Sequence, residues 1–266
     1  MQTVVSKDGT SIAYEKTGSG PAIILVGTTA SDHHDLDGLA GLLSEHFTVY
    51  NYDRRGRGGS GDTMPYAPAR EIEDVEALLD AIGEKASLVS GSAGCVLALD
   101  IATALGGKID KLFLYEPSFI VDDSRPPVPA DYVEHVTVLV QSGKRSEAVE
   151  YFMTAAVGVP AEYIEPMKAD PSWELMVKYA HTLAYDGMIV QGTQDGKPLP
   201  RDRWRFDAPA AVAVGANSPP FFHEGAKALT ELLPSCTYMA LEGLDHSAFW
   251  MSPDKVTEAI REFFAN

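Results

Sequence analysis

Apolar residues along the chain fall into two alternating kinds of pattern. Short runs at Pro21 to Gly27 (PAIILVG), Phe47 to Tyr52, Ala86 to Val89, Lys111 to Tyr115, Pro209 to Gly215 (PAAVAVG) and Thr237 to Leu241 have the length of strands. The first and fifth are almost wholly apolar, as expected of strands covered on both faces. Between the runs, apolar residues recur at helical spacing. Such stretches are Leu36 to Glu45, Arg70 to Ile82 (with Ile72, Val75, Leu78, Leu79 and Ile82 on one side), Ala93 to Leu105, Glu224 to Leu233 and Pro253 to Phe264. At the start, Val4-Val5 and Ser11 to Tyr14 flank Lys7-Asp8-Gly9-Thr10, whose Asp-Gly step signals a hairpin. Strand and helix in alternation predict a mostly parallel central sheet with helices on both faces, an α/β fold.

The alternation stops at Pro117. Arg125-Pro126-Pro127-Val128-Pro129 reads as a stiff linker, Asp131 to about Met188 is helical in spacing with no strand pattern, and Gln191 to Pro200 is a polar loop. The expected organisation is a sheet core built from residues 1–121 and 205–266, with residues 122–204 inserted as a helical lid or cap. No internal repeat is present.

Charge narrows the partners. With 21 basic and 38 acidic residues the net charge is −17, which repels phosphate backbones and anionic lipid. Neither nucleic acid nor a membrane surface is expected as partner, and a small molecule is. Monomer and homodimer both remain open. The apolar runs are too short to span a bilayer, and Met1 to Gly9 lacks the basic start and apolar core of a signal peptide, so the cytoplasm is the expected location. The two cysteines, Cys95 and Cys236, form neither a disulfide framework nor a metal motif and are expected as buried thiols.

The strongest chemical signal is Leu88-Val89-Ser90-Gly91-Ser92-Ala93-Gly94-Cys95, where a strand runs through a turn of small residues straight into an apolar helix. Small side chains on either side let the backbone bend enough to expose Ser92 at the strand tip, and the helix N-terminus behind it favours developing negative charge. A serine nucleophile needs a base, and His246 stands just beyond the last strand. Asp32, His33, His34 and Asp35 are read as solvated loop residues rather than metal ligands, so no metal and no cofactor are expected. Gly56, Gly58 and Gly61 satisfy a dinucleotide-type glycine pattern, but no helix opens there, so Asp53 to Gly61 is read as scaffold.

This order of elbow, late histidine and Asp53-Arg54-Arg55-Gly56-Arg57-Gly58-Gly59-Ser60 resembles the α/β-hydrolase superfamily over essentially the whole chain. The resemblance implies Ser92 as nucleophile and His246 as base, with an oxyanion hole from the Ala93 N–H and from the loop after the Ala22–Val26 strand, at Thr28. The superfamily usually places its acid after the penultimate strand, where this chain reads Gly215-Ala216-Asn217-Ser218 without a carboxylate. Some members carry the acid one strand earlier, which points to Glu116, with Asp122 as the next candidate. Adjacent strands lie ~4.8 Å apart, so either tip can reach a neighbouring histidine.

The implied activity is hydrolysis of a carboxylic ester or lactone through an acyl-enzyme. A C–C bond hydrolase, a thioesterase, a perhydrolase and a non-catalytic ligand-binding member are the alternatives. The acidic surface favours an uncharged substrate, and Phe152, Met153, Trp173, Tyr179, His181 and Met188 are the candidate substrate contacts from the lid.

Overall fold

The computed structural model describes residues 1–265. Its strands are β1 (Gln2–Val5), β2 (Ser11–Gly18), β3 (Ala22–Val26), β4 (Thr48–Tyr52), β5 (Ala86–Gly91), β6 (Ile109–Tyr115), β7 (Ala210–Gly215) and β8 (Cys236–Leu241). They form one eight-stranded sheet in the order β1-β2-β4-β3-β5-β6-β7-β8. β2 is antiparallel to both its neighbours, whereas β4, β3, β5, β6, β7 and β8 pair in parallel. Helices α1 (Asp37–Leu43), α2 (Pro68–Ile82) and α3 (Gly94–Ala104) connect the first strands. The stretch between β6 and β7 carries α4 (Tyr132–Gln141), α5 (Arg145–Tyr151), α6 (Ile164–Met167), α7 (Pro171–Lys178) and α8 (Leu183–Val190). α9 (Pro220–Leu232), α10 (Ala248–Met251) and α11 (Pro253–Ala265) complete the chain.

The alternation of side chains along the strands decides where the helices pack. Ile24, Leu88, Leu112 and Val212 point to the face covered by α2, α3 and α9. Ile23, Leu25, Val89, Phe113 and Ala211 point to the face covered by α1 and α11. β3, β5 and β7 are buried along their full length, β3 and β7 as unbroken apolar runs and β5 with Ser87 and Ser90 among its apolar residues.

Three of the boundaries that differ from the sequence pattern do so for a local reason. The helix expected from Leu36 begins as a 3-10 turn at His33–Leu36, with the Asp32 side chain accepting from the His34 N–H. α9 starts at Pro220 rather than near Glu224, because proline suits the first helical position. The C-terminal helix is preceded by a separate short turn, α10, and Pro253 opens α11.

Helices α4 to α8 hold a core of their own, including Val136, Val149, Trp173 and Leu183. That core is fastened to the sheet by buried charge. Asp186 on α8 accepts from Arg54 Nη1 (2.8 Å) and Arg57 Nη2 (2.7 Å), both from the loop after β4. Arg54 also pairs with Glu71 of α2 through two bonds of 2.7 and 2.8 Å. Among the described residues no helix is long and apolar enough to cross a membrane.

Candidate active site

The turn from β5 into α3 is shaped by what its neighbours leave no room for. A Cβ on Gly91 would lie 2.7 Å from the Phe249 ring, and one on Gly94 would lie 2.6 Å from Ser90 Oγ and 2.8 Å from Gly27 O. Ser90 fits because its hydroxyl turns to donate to Val26 O at 2.9 Å. Ser92 itself has a φ of +51° and donates its N–H to Tyr115 O at 2.9 Å. A non-glycine residue held in the left-handed region costs ~1–3 kcal/mol and persists only where the surroundings over-determine it.

Glu116, directly after β6, has the same kind of backbone, with a φ of +49° and its N–H donating to Ala213 O. Its carboxylate is fully buried. One oxygen accepts from the Gly215 N–H (2.7 Å) and the Ser218 hydroxyl (2.5 Å), and the other lies 2.7 Å from His246 Nδ1. The loop after β8 is pinned so that the imidazole meets it. Tyr115 Oη donates to Asp245 O at 2.6 Å, and Leu244 packs where a Cβ on Gly215 would otherwise stand. Phe222 stacks on the imidazole at 4.4 Å and Trp250 meets it edge-on at 5.5 Å.

Ser92 and His246 line one cavity of about 360 Å³ together with Thr28 and Ala93. Among the described residues no hydrogen bond joins the Ser92 hydroxyl to the imidazole. Hydrogen bonds between a hydroxyl and an imidazole in an open cavity often tighten only when a ligand is in place. The loop bearing Thr28 is held by Arg54 Nη1, which donates to Thr28 O at 3.1 Å. The Thr28 and Ala93 N–H groups make no hydrogen bond among the described residues, so both remain available as donors.

The remaining expected residues separate into two groups. Phe152 lines the cavity, on a π-helical stretch (Phe152–Val157) that also supplies Ala156 and Val157. The other five expected contacts from the helical segment are not in its wall. Met153, Trp173 and Tyr179 are buried in the core of α4 to α8. Trp173 Nε1 donates to Ser146 Oγ, and Tyr179 Oη donates to Asp32. His181 lies beside Arg145, and Met188 is not among the residues that line the cavity. Tyr132, Asp186, Val190, Phe221 and Trp250 form the wall in their place. Of these Asp186 had a visible signal, as a lone acid in the apolar stretch LAYDGMIV.

Asp122 accepts from Ser124 and does not line the cavity. Asp53 accepts from the His33 and Gly59 N–H groups, and Ser60 ties β2 to the Asp53 carbonyl, so these two side chains act on the backbone. His33 Nδ1 lies 2.8 Å from Asp53, and His34 Nδ1 lies 2.8 Å from Asp37. Asp35 instead accepts from Trp250 Nε1.

A model of the alpha/beta hydrolase family matches residues 22–259. The structure is similar to a crystal structure of an alpha/beta hydrolase from Sphaerobacter thermophilus DSM 20745. That match has 43% sequence identity and a TM-score of 0.90, and it covers 99% of this chain and 100% of that one. The enol-lactonase from Burkholderia xenovorans LB400 shares the fold, with a TM-score of 0.73 at 19% identity and full coverage of both chains. Among curated proteins, the uncharacterized hydrolase YraK of Bacillus subtilis (strain 168) is 32% identical over 113 residues. That alignment spans 41% of this chain and 42% of YraK.

Proposed function

Because the chain belongs to the alpha/beta hydrolase family, we propose that it is a serine hydrolase that cleaves a carboxylic ester or lactone of a small molecule. The observation that carries this reading is the 2.7 Å contact between His246 Nδ1 and the buried Glu116 carboxylate, in the wall of the cavity that Ser92 also lines. The carboxylate keeps the imidazole proton on Nδ1, which leaves Nε2 as the base.

Ser92 Oγ attacks the carbonyl carbon as His246 Nε2 takes the hydroxyl proton. The tetrahedral oxyanion accepts from the Thr28 and Ala93 N–H groups, which stand at the mouth of α3 where its dipole adds to the field. Collapse expels the alcohol, or opens the lactone ring, with the proton returned from His246. Water then attacks the acyl-enzyme by the same route, releasing the acid and restoring Ser92. Glu116 stabilises the imidazolium formed in each half. Its other oxygen stays on Gly215 and Ser218, so the carboxylate cannot rotate away.

Intact mass after treatment with a serine-directed fluorophosphonate tests the reading on wild type and Ser92→Ala, alongside a panel of short esters and lactones. The expected result is one adduct on wild type, none on Ser92→Ala, and ester or lactone turnover by wild type alone. Labelling that survives in Ser92→Ala, or a folded wild type that neither labels nor turns over any member of the panel, rejects it.

A further inference from the structure

Apart from His246, two ionisable groups of opposite formal charge stand in the cavity wall, Asp186 and Arg125. Asp186 is answered by Arg54 and Arg57. Arg125 has no such partner. Its Nη2 donates to Ala156 O at 3.0 Å, its guanidinium lies 4.8 Å over the Phe221 ring, and among the described residues it makes no ion pair. Acidic residues outnumber basic ones by 38 to 21 in this chain, so a half-buried cation left without an acid is unexpected on composition. Burial alone shifts Arg125, lowering it from its ordinary value, and no carboxylate opposes that shift.

The arrangement holds the guanidinium still while leaving donors to spare. The Phe221 face fixes its plane, and the Ala156 carbonyl of the π-helical turn takes one N–H. A planar guanidinium fork matches a carboxylate in two parallel hydrogen bonds. Two other polar side chains of the wall are engaged with each other, since Gln194 Nε2 donates to Ser118 O (2.8 Å) and Oγ (2.9 Å).

We infer that Arg125 is the anion-binding end of the substrate cavity and that the substrate carries a carboxylate besides the bond cleaved at Ser92. A half-ester of a dicarboxylic acid, the ester of a hydroxy acid, or a lactone with a pendant carboxylate has this form. The inference rests on the serine hydrolase reading of the cavity. It replaces the expectation of an uncharged substrate, which followed from net charge. Surface charge is screened over ~8 Å at physiological ionic strength, whereas a desolvated guanidinium acts at contact.

The test compares matched pairs of esters by pH-stat on wild type, Arg125→Gln and Arg125→Lys. Monomethyl glutarate and monomethyl adipate, with the carboxylate on the acyl side, are set against methyl pentanoate and methyl hexanoate. Acetoxybutyrate, with the carboxylate on the alcohol side, is set against butyl acetate. Binding of the same anionic esters to Ser92→Ala, with and without Arg125→Gln, is followed by calorimetry. Wild type should prefer the anionic member of at least one pair by roughly 10- to 100-fold in kcat/KM, the worth of a hydrogen-bonded charge. Arg125→Gln should collapse that ratio, and Arg125→Lys should keep part of it. Because the readout is a ratio between substrates, a general loss of activity in a variant does not imitate the result.

Wild-type turnover that favours the neutral member of every pair overturns the inference and leaves the esterase reading standing. A preference that survives in Arg125→Gln also overturns it. Anionic esters that bind in an Arg125-dependent way but are never hydrolysed would keep the anion site and reject the esterase reading. Absence of both turnover and binding rejects the two together.

Discussion

Glu116→Gln separates the proposed chemistry from the fold. The glutamine oxygen can still accept from the Gly215 N–H and the Ser218 hydroxyl, which now lie 2.7 and 2.5 Å from one carboxylate oxygen. That leaves the NH2 group facing His246 Nδ1, where the carboxylate oxygen stands at 2.7 Å. Two N–H donors cannot share that distance, so the imidazole moves its proton to Nε2 and loses the lone pair that should accept the Ser92 proton. The negative charge beside the imidazolium is lost as well. An amide substitution of this kind in a serine-protease triad lowers kcat by ~10⁴, equivalent to ~5.5 kcal/mol of transition-state stabilisation. The same loss is expected here in ester turnover and in the rate of fluorophosphonate labelling, with the far-ultraviolet spectrum unchanged. Losses below about tenfold in a folded variant would refute the reasoning. Glu116 would then be a residue that closes the strand tips by satisfying Gly215 and Ser218, and His246 would need another orienting group.

Three further outcomes follow from the buried charges and thiols. Asp186→Asn strips Arg54 and Arg57 of a shared partner and should lower unfolding stability in urea by about 3–5 kcal/mol; a change under about 1 kcal/mol would mean the pairs contribute little. Burial by itself would raise the Glu71 pKa, but the charge and hydrogen bonds of Arg54 outweigh it and hold the carboxyl below its ordinary value. A depressed carboxylate adds stability above its unfolded value of ~4.3 and loses it as pH falls through the folded value, so Glu71→Gln should flatten the acid limb of unfolding below about pH 4. Equal slopes in the two proteins would contradict this. Burial pushes the Cys95 thiol well up and Cys236 up to about 12. Neither should react with Ellman's reagent until the protein is denatured, and rapid labelling of the native protein would show that the thiols are accessible.

The strand and helix order, the Ser92 turn and the position of His246 were legible because each depends on neighbours in sequence. The Glu116 position was legible only by way of the missing acid after Gly215, since the register of β6 against β7 decides whether its carboxylate reaches the imidazole. The cavity lining was mostly not legible. Trp173 and Tyr179 have the same apolar character as Phe221 and Trp250, but which of them meets the cavity depends on how α4 to α8 pack on one another. Helical spacing identifies a buried face without saying whether protein or ligand covers it. The partnering of Arg54 and Arg57 with Asp186 spans 132 and 129 residues of chain, a separation over which local pattern carries no information.

That long-range network bears on the site as directly as the motif does. Among the described residues, the non-glycine positions with positive φ are Ala30, Ser92 and Glu116. They follow β3, β5 and β6, and each costs ~1–3 kcal/mol to hold. Ser92 and Glu116 are held by the sheet itself, through N–H bonds to Tyr115 O and Ala213 O in the adjacent strands. Ala30 lies beyond the sheet, and its N–H reaches Asp186 Oδ2 at 3.4 Å instead. The same aspartate bonds Arg54, which holds the Thr28 carbonyl. The loop that offers the Thr28 N–H is therefore positioned from α8, across the boundary between the helical segment and the sheet. On the proposed mechanism, a perturbation that loosens α8 should raise the barrier at Ser92 without touching Ser92, His246 or Glu116, because oxyanion donors act only when preorganised.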